Sequence, residues 1–180
     1  MGSRMNRRNF LSTLAGGVVL ASLGSCTDSI VSADSLIVNI DKYVNRRVKT
    51  EGLIAHICGV DGKKMKLMSE SGEVIVILSR DNNRFDSSLY KKRIRVYGLV
   101  KEERLSKKYI DEKEKEKAIL CHVDQRPCKD TKWIQAKVEA GVSDSLSQQG
   151  IEKLRQKMAK QGKDYVSIVS IVCEQYEVIV

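Results

Sequence analysis

One pattern occurs twice in this chain, and it constrains the fold more than any other feature. Arg46-Arg47-Val48-Lys49-Thr50-Glu51-Gly52-Leu53-Ile54 is echoed by Lys92-Arg93-Ile94-Arg95-Val96-Tyr97-Gly98-Leu99-Val100. Each copy has a basic start, a β-branched residue, alternating polar and apolar positions, then glycine, leucine and an aliphatic. Alternation at a period of two is the signature of a strand with one face buried. A glycine inside such a run lets the strand bulge or bend sharply. Two long bent strands with only short strand signals between them predict a small closed barrel.

The first strand starts at Arg46 or Arg47 and runs to about Cys58. Unbroken alternation puts Val48, Thr50, Gly52, Ile54, His56 and Cys58 on one face; a bulge at Gly52 turns Leu53, Ala55 and Ile57 to the core instead. Gly59-Val60-Asp61-Gly62 is a turn, with Asp-Gly its strongest signal. A second strand follows over 63–69, a turn over 70–72, and a third strand over 73–78 that is apolar enough to be buried on both sides. Residues 80–90 read as a polar loop with one helical turn at Phe85 and Leu89, and 91–104 is the fourth strand. Upstream, 35–40 is either a first β segment or the approach to a short helical turn at 41–44.

Three strands in a meander, a short helical plug and a fourth strand echoing the first resemble the OB-fold, placing its barrel core at 36–104. More narrowly, Glu51-Gly52-Leu53-Ile54-Ala55-His56-Ile57-Cys58, taken with Gly62-Lys63-Lys64-Met65-Lys66-Leu67, looks like the tRNA-anticodon-type OB proteins that occur as bacterial envelope lipoproteins. The resemblance covers about residues 44–104. It implies a shape rather than tRNA binding. The fold class expected is mainly β with α: an OB-fold-like closed barrel plus a C-terminal extension of helices and strands over 105–180.

Residues 1–26 stand apart from the fold. They have a basic start (Arg4, Arg7, Arg8), an apolar run from Phe10 to Leu23 and a small-residue end, which is the layout of an export signal. Leu23-Gly24-Ser25-Cys26 resembles a bacterial lipobox, which implies cleavage before Cys26 and acylation of its thiol. Asn6-Arg7-Arg8-Asn9-Phe10-Leu11 looks like a twin-arginine export motif. Residues 27–35 are short and polar, suiting a tether. The expectation is an exported protein, lipid-anchored in the cell envelope on the periplasmic or outer-membrane side. Removing three of the 32 basic residues leaves 29 against 23 acids, net +6 for the remainder. That balance fits an ordinary solvated surface as well as attraction to anionic headgroups.

The last third is less regular. Residues 107–120 form a highly charged helix candidate, broken by Cys121-His122-Val123-Asp124-Gln125-Arg126-Pro127-Cys128 with the chain's one proline. A short helix is expected over 131–140. A second, from Ser145 or Ser147, carries Ile151, Leu154 and Met158 on one stripe and stops at Gly162. The β-branched runs 165–173 and 175–180 read as strands, one of which closes the barrel.

Four side-chain sets carry the possible chemistry. Cys26 is the lipidation site. Lys64, Lys66, Arg93, Arg95 and Tyr97 form a basic strip on the barrel face that OB-folds use for extended ligands. With aromatics at 5% and Tyr97 the strip's one ring, the stacking platforms that single-stranded nucleic acid needs are missing. Cys121 and Cys128 flank a proline loop and suit a disulfide in an oxidising compartment. His56, Cys58, Cys121 and His122 pair imidazoles with thiols, ligand types that suit zinc or copper, although the paired C-x-x-C spacing of structural zinc sites is missing. No G-x-S-x-G, P-loop or H-E-x-x-H occurs, so the reading is a non-enzymatic binding or scaffolding module without a cofactor. Its partner is expected to be an envelope protein or an extended polymer. The rival reading is a metal- or thiol-handling envelope protein built on His56, Cys58, Cys121 and His122.

Overall fold

The computed structural model describes residues 29–179. Cys26, the expected export signal and its arginines lie outside the described residues. Five strands close a barrel in the order β1 (Arg47–Ile57), β2 (Lys64–Met68), β3 (Val74–Ser79), β5 (Tyr165–Ile179), β4 (Arg93–Ser106). All neighbours are antiparallel except β3 and β5, which run parallel. This is an OB-fold-like closed barrel with several helices.

The two sequence copies pair with each other. β1 and β4 run antiparallel from Arg47 opposite Leu99 to Leu53 opposite Arg93, so Val48 faces Gly98 and Gly52 faces Ile94. Each glycine therefore sits opposite the β-branched residue that opens the other copy. Both glycines are required by close approach. A Cβ on Gly52 would lie 2.5 Å from the Met68 carbonyl oxygen and 2.8 Å from Leu67 Cγ, and one on Gly98 would overlap the Val172 carbonyl oxygen.

The change of face expected around Gly52 occurs three residues later. Val48, Thr50, Gly52 and Ile54 point into the barrel; the register then shifts between Ile54 and His56, leaving Ala55 extra. Beyond the shift Ile57 faces inward while His56 and Cys58 turn outward. A second register shift, between Tyr97 and Gly98, leaves Glu174 of β5 extra; its carboxylate pairs with Arg47 at 3.0 Å and Arg80 at 3.6 Å. The two expected C-terminal strands are thus one long strand.

The N-terminal segment joins the fold earlier than a tether over 27–35 allows. Ile30 bridges to Lys49, and Ser32 caps α1 (Ala33–Val38) by accepting from the Ser35 amide. With α2 (Ile40–Tyr43) it sends Ala33, Leu36 and Ile40 into the barrel core, among Ile54, Met65, Leu67, Ile75, Ile77, Ile94, Val96 and Ile171. The helical turn expected at 41–44 is realised as α2, and the stretch leading to it is itself helical, as α1, rather than a first β segment.

Thr50 is fully buried in that core, and its Oγ1 is without a partner among the described residues. A desolvated hydroxyl with no hydrogen bond costs stability that a methyl of the same shape does not. Thr50→Val is expected to stabilise the protein by about 1 kcal/mol, read from chemical denaturation midpoints.

Between β4 and β5 the chain makes α3 (Lys107–Lys115), a small hairpin over 119–128, α4 (Thr131–Glu139) and α5 (Ser143–Gln161). α3 stops five residues short of expectation, and α5 ends where Gly162 adopts φ 61. This insert folds over the outside of the barrel and forms a second core. Ile110, Cys121, Val123, Ile151 and Leu154 pack on Cys58, Val76, Leu105, Val166 and Ile168. β3 is therefore buried on both sides, as its composition required. Arg155 of α5 ties the helices together through Glu114 at 2.6 Å and Asp111 at 3.2 Å of α3. Among the described residues no helix is long and apolar enough to cross a membrane.

Candidate functional site

The outward residues of β2 include Lys64 and Lys66, and the insert treats these two lysines differently. The hairpin lays Asp124 against Lys64, Nζ to Oδ2 2.5 Å, with side chains 21% and 14% exposed. Burial opposes both charges, but the hydrogen bond and the mutual attraction outweigh it: Lys64 is raised and Asp124 lowered from their ordinary values. Asp124 also accepts from the Arg126 amide at 3.3 Å, so one carboxylate shapes the hairpin and docks it. The Tyr109 hydroxyl of α3 donates to the Gln125 carbonyl at 3.1 Å and holds the other side.

Lys66 receives an imidazole in place of an acid. It sits opposite His56 of β1, and His122 of the hairpin meets the His56 ring edge-on, centroids 4.2 Å apart. Both histidines lie below the ordinary 6.5, His56 through burial and the Lys66 charge. For His122 burial acts first, then His56 and Lys66; Lys153 adds to the lowering and Asp124 opposes it. Lys66 is itself lowered by burial and by Lys153 and Lys157.

Two adjoining cavities of about 140 Å³ and 320 Å³ open between β2, the hairpin and α5. They share Lys66, His122, Gln125 and Lys153; Lys157 lines the smaller one, and Trp133 of α4 lines the larger. Among the described residues no acidic side chain lines either. Among the described residues Lys66, Lys153 and Lys157 take part in no ion pair, whereas Lys64 two positions earlier does.

The expected basic strip is divided by this arrangement. The first half of β1 pairs with β4 and the second half with β2, so Arg93, Arg95 and Tyr97 lie along a different part of the barrel from Lys64 and Lys66. Arg95 is held between Glu51 at 2.6 Å and Glu177 at 2.5 Å, and Arg93 reaches Glu70 at 3.3 Å. Tyr97 lines a separate shallow groove with Lys49 and Tyr176. The sequence reading missed Lys153, Lys157, Gln125 and Trp133. A signal was present: Lys153 and Lys157 are like charges four apart beside the Ile151–Leu154–Met158 stripe, a spacing that destabilises a helix by itself.

Cys58, Cys121, Cys128 and Cys173 are free thiols. The bridge expected between Cys121 and Cys128 is not formed. Across the hairpin Cys121 bonds to Arg126 and Cys128 to Ile119, so the two cysteines are staggered by two residues rather than opposed. Burial raises the Cys121 thiol and lifts Cys173 to about 11, which keeps both protonated. His56 and His122 are in contact and Cys58 neighbours Cys121 in the second core. Yet no group of three or more His, Cys, Asp or Glu converges as a metal-holding set among the described residues. The four residues are near one another without sharing a coordination point.

No family model and no curated protein matches this chain.

The paired histidines set an acid sensitivity. Their folded values lie below the unfolded 6.5, so on acidification the unfolded chain takes up protons first. Stability is expected to be level above about pH 6.5 and to fall as pH drops from there towards the folded values. Melting temperature measured from pH 7.5 to 5 checks this, and His122→Gln should flatten the decline.

Proposed function

We propose that this chain is an exported, lipid-anchored cell-envelope protein whose barrel serves as a non-enzymatic binding module. The ligand is taken up in the cleft between β2, the 119–128 hairpin and α5. The observation that carries the reading is the cleft's position and lining. It lies on the β2–β3 face, where OB-folds bind their ligands, and it gathers cationic side chains without acids to neutralise them. The insert between β4 and β5 supplies the far wall, as the corresponding loop does in ligand-binding barrels.

The anchor is supported by the lipobox-like Leu23-Gly24-Ser25-Cys26 and by how soon the fold begins. Ile30 is already bridged to Lys49, so a lipid on Cys26 would hold the barrel within about 15 Å of the bilayer surface, at 3.3–3.6 Å per residue. Metal or thiol handling is the weaker reading, since its four residues do not converge and burial raises the Cys121 thiol.

Labelling cells with a palmitate analogue and fractionating them tests the anchor. Label and membrane association are expected in the native protein and lost in Cys26→Ala; an unlabelled native protein in the soluble fraction would overturn it. A photo-crosslinker at Gln149, in the cleft, against one at Gln175, beside Tyr97, tests the module. Ligand-dependent adducts should form at Gln149, and adducts confined to Gln175 would move the binding site.

A further inference from the structure

The cleft buries cations that the fold leaves without a counter-charge. Lys66 stands in mid-strand, half-buried, beneath a hairpin and a helix, and Lys157 is half-buried on the facing helix. Placing an ammonium group in such a setting costs free energy unless a partner compensates. For Lys64 the hairpin supplies that partner in Asp124. For Lys66 the same hairpin supplies His122, and α5 adds Lys153 and Lys157. Glu73, the acid that acts on Lys157 from outside the cavity, is already paired with Lys160 at 3.0 Å. The site is built to be completed by an anion from solution.

The size and donor set narrow the ligand. The inner cavity of about 140 Å³ admits a compact group, and an apolar floor of Val74, Val76 and Ile168 lies behind the lysines. Three ammonium groups and an imidazole offer more charge and more donors than one carboxylate can use. A phosphate carries nearly two charges and three strong acceptor oxygens. We propose that the cleft bounded by Lys66, His122, Lys153 and Lys157 binds a phosphate-type anion, as the free ion or a soluble phosphate monoester, or as the terminal phosphomonoester headgroup of an anionic phospholipid. The proposal rests on the reading of this cleft as the module's binding site and names the chemistry of its ligand.

The test uses the chain's single tryptophan, Trp133, which lines the outer cavity and reports on this cleft alone. The protein, purified in detergent, is titrated with sodium phosphate against sodium chloride at matched ionic strength. A saturable change in fluorescence with phosphate only is expected, and an affinity at least tenfold weaker in Lys66→Met and Lys157→Met. Those variants remove like-charge repulsion, so they should melt no lower than the native protein, which separates lost binding from lost folding. Vesicles containing phosphatidic acid giving the same change, phosphatidylcholine vesicles giving none, and competition by free phosphate would assign the lipid headgroup. A response to phosphate without one to vesicles would assign a soluble ligand. Identical phosphate and chloride curves, or variants within twofold of native affinity, would overturn the proposal. Should that occur while Gln149 still yields ligand-dependent adducts, the anion falls and the module stands.

Discussion

Gly98→Ala is expected to destabilise the protein by about 3 kcal/mol, the upper part of the range for overpacking. The added methyl meets the Val172 carbonyl oxygen, and Ile171 Cγ2 lies 2.7 Å away. A flexible side chain could swing aside, but a carbonyl in the β4–β5 ladder moves only with its strand. Gly98 also sits at the register shift between Tyr97 and Gly98, opposite Val48, where β4 is clamped between β1 and β5. Relief must therefore open one of the barrel's seams. At about 2–4 °C per kcal/mol for a chain of this size, the melting temperature should fall by about 6–12 °C. Gly59→Ala is the matched control, because nothing lies within 4 Å of its added Cβ. It should change stability by less than about 0.5 kcal/mol. Equal effects at the two positions would mean that the close crossing at Gly98 is not what holds the barrel's shape.

Asp124→Ala is expected to cost about 2 kcal/mol, below the 3–5 of a fully buried pair because solvent still reaches both groups. The loss has two parts: Lys64 is left half-buried without its partner, and the hairpin loses the carboxylate that accepts from the Arg126 amide. A double-mutant cycle separates them. Lys64→Met in the Asp124→Ala background removes the orphaned charge, so the double variant should lose less than the sum of the singles, with a coupling of about 1–2 kcal/mol. Freed from its mooring, His122 should also move away from His56, and its pKa should return towards 6.5 in an NMR titration. Strict additivity, with His122 unmoved, would show that the second core alone docks the hairpin.

What the sequence disclosed follows from what is local. The repeated pattern located β1 and β4 because alternation and glycine are properties of single strands, and the two copies proved to be paired partners. The face change is expected at Gly52, since glycine is the residue that a bulge favours, but Gly52 stays in register opposite Ile94 beneath Met68 and Leu67, and the shift falls at Ala55. Residues 35–40 remained ambiguous because Leu36, Ile37 and Ile40 fit both periods, and only the barrel core selects the helix. Grouping Lys64 and Lys66 with Arg93, Arg95 and Tyr97 failed for a topological reason. β1 passes from one partner strand to another along its length, and that hand-over depends on barrel closure. Lys153 and Lys157 join Lys66 across some ninety residues of chain, a contact that no local pattern encodes.

The most direct test of the account is a residue-resolved NMR titration of the full protein with sodium phosphate at pH 7. The central claim is that the insert folds over β2 and makes an anion cleft with it. Shifts should concentrate at Lys66, His122, Gln125, Trp133, Lys153 and Lys157, with one saturation midpoint shared across strand, hairpin and helices. Shifts centred instead on Lys49, Arg95 and Tyr97, or none beyond those caused by chloride, would contradict it.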